Sequence, residues 1–130
     1  WQAAGTPLLW SLYIAYGFIV AGFTGMALGL DFSTTTHLIA IGGMALMILS
    51  MISRVSLGHT GRPLEVPGYY SFAFLCLITA ALTRALANFM PEYYFGLLWL
   101  AAGAWTLGFL LFLYHFTPFL TQPRPDGKPG

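Results

Sequence analysis

Four apolar segments, each long enough to cross a bilayer as a helix, follow one another along this chain, and nothing constrains its fold more. They run Pro7 to Leu30, Thr36 to Leu57, Tyr69 to Phe89 and Tyr93 to Phe116. Each holds about 21 to 24 residues, and a helix rising ~1.5 Å per residue needs ~20 to cover a hydrocarbon core of ~30 Å. Backbone inside lipid must satisfy its own hydrogen bonds, which leaves helices and closed barrels. Period-2 alternation is absent, so a barrel does not fit. The sequence predicts an all-α, polytopic membrane protein: a four-helix transmembrane unit over residues 1–116 in an up-down bundle, then a Pro-rich tail over 117–130 carrying Pro118, Pro123, Pro125 and Pro129.

Composition supports the same class. Of the 130 residues 58% are hydrophobic and only 7% charged, with a mean hydropathy of +0.75, whereas roughly a quarter of a soluble domain is charged. The net charge of +1 comes with no basic stripe, so nucleic acid is excluded as a partner and the lipid bilayer is the expected one. Cys76 is the single cysteine. It lies in an apolar run and is read as a packing residue rather than a reactive one.

The punctuation between segments fits short turns. Asp31 and the run Ser33, Thr34, Thr35, Thr36 offer N-caps for the second helix, and Pro91 with Glu92 suits the start of the fourth. The loop around Gly58, Gly61, Pro63, Pro67 and Gly68 is too rich in breakers to stay helical. In the first helix Gly17, Ala21, Gly25 and Gly29 recur every four positions, a ladder that lets another backbone approach and makes a homo-oligomer a further expected partner state. Trp1, Trp10, Tyr69, Tyr70, Tyr93, Tyr94 and Tyr114 fall near helix ends as an aromatic belt. Arg54, Arg62, Arg124 and Lys128 gather on one side, so both chain ends are predicted to be cytoplasmic.

Three histidines and two arginines carry the candidate chemistry. His37, placed in the first turn of the second helix, is either a neutral metal ligand or an interfacial ring bonded to a loop carbonyl. His59 lies about 22 residues on, ~33 Å by helical rise, so the two cannot share an ion. At ~100° per residue they fall within roughly 40° of each other on the helix. His115, in "FLYHF", is either a haem ligand at the depth of His59 or an interfacial aromatic. Arg54 sits inside the apolar run "MILSMISRVSL". It either snorkels to the interface or, with Arg62, brackets an anion such as a carboxylate. Met44, Met47 and Met51 have the softness for Cu(I), but at helical spacing they are read as core packing.

The segment "HLIAIGGMALMILSMISRVSLGHTGRPL", from His37 to Leu64, resembles the most recognisable stretch of the NnrS family of bacterial inner-membrane proteins, and "PRPDGKPG" is similar to that family's carboxyl end. The resemblance implies a polytopic protein of about a dozen helices, with haem and copper, linked to the response to nitric oxide and nitrosative stress, often in denitrifiers. It implies that these residues form the carboxyl-terminal third, partnered by amino-terminal helices of the same protein. It makes His37 and His59 the leading metal or haem ligands, His115 a weaker one, and Arg54 and Arg62 charge anchors. Two alternatives from other classes stand beside it: a transporter or channel for a small anion through Arg54 and Arg62, and a metal-free structural or assembly subunit docking through the Gly17 to Gly29 ladder. Catalytic residues stay unassigned.

Overall fold

In the computed structural model, residues 5–125 and 127 are described. All regular structure among them is helical. Four helices are long and apolar enough to cross a membrane: α1 (Pro7–Ala27), α2 (Phe32–His59), α3 (Gly68–Ala87) and α4 (Pro91–Thr121). α1 packs on α2, α2 on α3 and α3 on α4, and the second half of α2 also reaches α4. Within the most apolar stretch of each helix, 50% of α3 is buried but only 11% of α4, so α4 flanks the assembly and shows most of its surface. The α1–α2 and α3–α4 turns share one end, called here the hairpin end; the α2–α3 loop and the tail share the other, the tail end.

Helix ends follow local chemistry. The Asp31 side chain wins the competition to cap α2, its Oδ2 accepting the Thr34 N–H at 2.9 Å, so the helix starts four residues earlier than expected and His37 becomes its sixth residue. The field of the helix terminus is confined to the first turn and no longer explains His37. Gly29, with φ of 78°, is not a rung of the packing ladder but the left-handed residue that stops α1, letting the Leu30 N–H reach Gly25 O at 2.9 Å. Gly61, with φ of 69°, ends α2 in the same way, and the Arg62 N–H closes on Leu57 O at 2.9 Å. α4 runs five residues past its expected end at Phe116 and contains Pro118. Phe119 packs on both His115 and Phe116, which keeps the last turn helical despite the missing proline N–H.

The α1–α2 crossing takes only Gly25 from the ladder read in the sequence, where it lies against Thr35. Gly17 and Ala21 are exposed, while Gly22 receives Ile39, and Gly42 and Gly43 of α2 receive Phe18 and Ile19. Each helix thus offers glycine hollows to the other's large side chains. At this crossing, Leu38–Ala45 of α2 is π-helical, the Leu46 N–H reaching back to Ile41 O. A π-turn advances less per residue than an α-turn, so the 40° alignment of His37 with His59 does not carry through it. Leu8, Leu46, Leu49, Leu57, Phe74, Leu77 and Phe116 form the core nearer the tail end. Cys76 is buried and free.

Polar side chains stitch this core. Ser11 Oγ donates to Ser50 Oγ at 3.0 Å, and Ser50 Oγ to Leu8 O at 3.1 Å. Tyr70 is buried rather than part of an exposed belt, its hydroxyl 2.7 Å from Ser53 Oγ. Trp1, Asp126 and Lys128 lie outside the described residues.

Candidate functional site

At the hairpin end the Asp31 cap fixes the first turn of α2 against the last turn of α3. Arg84, one turn before the end of α3, donates from Nη2 to Ser33 Oγ at 3.0 Å and from Nη1 to Asn88 Oδ1 at 3.4 Å. Asn88 Nδ2 in turn donates to Thr34 Oγ1 at 2.8 Å and Asp31 Oδ2 at 3.1 Å. Neutral acceptors therefore hold Arg84, and Glu92 is not its partner. Within this lattice His37 Nδ1 lies 2.6 Å from Ser33 O, with Ser33 Oγ at 3.4 Å. A carbonyl can only accept, so Nδ1 carries a proton, and in the neutral ring Nε2 then keeps a lone pair for another partner. The ring is half-buried and oriented by its own helix. From Arg84 an apolar groove of about 570 Å³ runs along α4, walled by Ile41, Leu98, Trp99 and Trp105.

At the tail end the sequence-predicted residues divide between two surfaces. Arg62, aimed by the turn at Gly61, places its guanidinium 4.2 Å from the centre of the Phe119 ring and donates to Thr60 O at 3.4 Å. Phe119 also meets His115, whose Nδ1 is 2.7 Å from the Tyr69 hydroxyl and whose ring lies 5.1 Å from that of Tyr70. Arg54 and His59 instead line a shallow hollow of about 370 Å³ with Met51, Val55, Gly58 and Leu64. Arg62 is not among its walls. The His59 carbonyl accepts from Arg124 Nη1 at 3.0 Å, which ties the tail to the end of α2.

Metal chemistry can be tested against these positions. Among the described residues no three of His, Cys, Asp and Glu lie together as a metal-holding group. Met47 packs on the core, whereas Met44 and Met51 face outward. Each histidine is therefore at most a single ligand, and a closed site of about four ligands is not built from these residues. As a single ligand His37 fits best, because a backbone acceptor on one ring nitrogen fixes the tautomer and turns the other toward a metal. His115 pairs its Nδ1 with the Tyr69 hydroxyl, which can donate or accept and so does not fix the tautomer, and its ring is packed among those of Tyr69, Tyr70, Phe116 and Phe119. His59 has an exposed ring with no hydrogen bond to orient it among the described residues.

His37 lies in the second turn of α2 rather than the expected first, and the lattice around it joins residues far apart in the chain. Ser33, one of the candidate caps in the sequence, and Asn88 link α2 to α3. Their partners are 51 and 54 residues away in the chain, beyond the range of any local pattern.

The sequence matches no curated protein, and the fold matches no solved structure. A family model described as NnrS protein matches residues 1–124. That match takes in all four helices, the Arg84 lattice and the whole Arg54 to Arg62 segment, and the chain belongs to the NnrS protein family.

Proposed function

We propose that this chain is part of a haem- and copper-containing, multi-pass protein of the bacterial inner membrane that acts in the response to nitric oxide and nitrosative stress. Family membership and four apolar helices support the setting. The observation that carries the chemistry is His37, with Nδ1 bonded to Ser33 O and no hydrogen bond to Nε2 among the described residues. In this reading His37 gives one neutral imidazole at the hairpin end, and the remaining ligands come from amino-terminal helices of the same protein. His59 would serve a separate site at the tail end. Haem iron or copper, when bound, supplies affinity for a diatomic ligand. The chain's own part is to hold the imidazole in one tautomer and one orientation, and to offer nitric oxide an apolar groove that runs along α4 from Arg84 at the same end.

The anion-transport reading gains no support from the geometry, since Arg54 and Arg62 line different surfaces. The test is metal analysis and an absorption spectrum of the purified full-length protein. His37→Ala is expected to lose or spectrally shift one haem or copper while the helical signal is retained. A His37→Ala/His59→Ala protein with its full complement of both metals and an unchanged spectrum would refute the assignment.

A further inference from the structure

Every arginine but one has a partner. Arg62 has Phe119 and Thr60, Arg84 has Ser33 and Asn88, and Arg124 has His59 O. Among the described residues nothing hydrogen-bonds or pairs with Arg54, which lies five residues before the end of α2. Its hollow is shared with His59 and is otherwise apolar. From the hollow toward the middle of α2, the exposed Val55, Met51, Ile48 and Met44 continue one stripe, spaced at four, three and four residues. Ser50, Ser53 and Ser56 of the same helix all face inward, so this outer face carries no hydroxyl. The result is a long apolar strip that ends in an unpaired guanidinium and an imidazole.

We propose that this face seats an anionic phospholipid, its phosphate held by Arg54 and one acyl chain lying along Val55, Met51, Ile48 and Met44. The inference depends on α2 spanning a bilayer, and not on any metal at His37. Charge complementarity selects the head: a guanidinium presents paired N–H donors that match two phosphate oxygens. The strip selects the tail, because a soluble anion would leave it uncovered. Depth agrees as well. Five residues of helix are ~7.5 Å, a span that an arginine stem covers while its charge reaches the headgroup layer.

Native mass spectrometry of the full-length protein in detergent, loaded with equimolar phosphatidylglycerol and phosphatidylcholine, tests the site. Phosphatidylglycerol should be retained preferentially. Arg54→Gln should cut that retention about fivefold, as expected for one interfacial cation. Arg62→Gln removes a charge from the same end but not from the hollow, and should leave retention unchanged. Equal retention of the two lipids, or an Arg54→Gln protein that holds phosphatidylglycerol as wild type does, would overturn the proposal. A photo-crosslinking residue at Val55 in otherwise wild-type protein gives a test that needs no charge deletion. An adduct of lipid mass supports the seat; an adduct to polypeptide shows a helix interface in its place and overturns it. Haem and copper content is read separately, so failure here is distinct from failure of the His37 assignment.

Discussion

Replacing Ser53 by Ala should destabilise the protein more than replacing Tyr70 by Phe, although the two changes remove the same hydrogen bond. Ser53 Oγ has a second partner, donating to Leu49 O at 2.7 Å, whereas the buried Tyr70 hydroxyl has only Ser53 among the described residues. Tyr70→Phe therefore leaves Ser53 satisfied and costs about 0.6 kcal/mol, near the average for an interhelical bond in a membrane. Ser53→Ala strands a phenol in the core at about 1–3 kcal/mol. Adding Tyr70→Phe to Ser53→Ala should restore part of the loss. Denaturant unfolding of the three variants in one detergent measures the order, and a costlier Tyr70→Phe would show that the phenol has another anchor. No local pattern marks Ser11, Ser50 and Ser53 in their apolar runs. Their partners lie 39, 42 and 17 positions away, and only the helix crossings bring them together. His37 was the opposite case, since its acceptor is four residues back on its own helix.

At the scale of the helices, the glycines divide into hollows and stops, and the sequence pattern alone does not separate them. A methyl group on Gly42 would collide with the Phe18 ring, while one on Gly17 meets open space. Gly42→Ala should therefore push α1 from α2 and cost about 1–3 kcal/mol, the range for overpacking a filled core. Gly17→Ala should cost nothing. Equal thermal stability of the two variants would mean that the crossing relaxes around the added carbon. A four-residue ladder was the natural reading, because small residues at that spacing allow close approach. Within the chain the contact face runs through Leu8, Ser11, Ala15, Gly22 and Gly25, so of the four ladder positions only Gly25 is buried there, while Gly17 and Ala21 face outward and Gly29 is used up in stopping the helix. The four spans themselves were legible, since length and apolarity decide them. Their ends were less so: the Asp31 cap and the packing of Phe119 each moved a boundary that composition could not set. The π-helical stretch had no sequence signal beyond the pair Gly42 and Gly43.

For the whole molecule, the alternation of four spans makes orientation a single choice, and charge makes that choice. Among the described residues the tail end holds Arg54, Arg62 and Arg124, while the hairpin end holds only Arg84, together with Asp31 and Glu92. Arg84 is moreover engaged in side-chain hydrogen bonds across α2 and α3, leaving it little part in retention by the cytoplasmic face. The tail end should therefore be cytoplasmic. Glu92→Cys places a thiol in the exposed first turn of α4, and Glu65→Cys and Gln122→Cys place one in the exposed α2–α3 loop and just after α4. The native Cys76 is buried and gives little background. In intact spheroplasts a membrane-impermeant maleimide should label Glu92→Cys and spare the other two; in inverted vesicles the pattern should reverse. Labelling of Glu92→Cys and Gln122→Cys from the same side would show that α4 does not cross. The opposite pattern at all three positions would keep the four spans but invert them, which would move the Arg54 hollow to the outer leaflet and His37 to the cytoplasmic face.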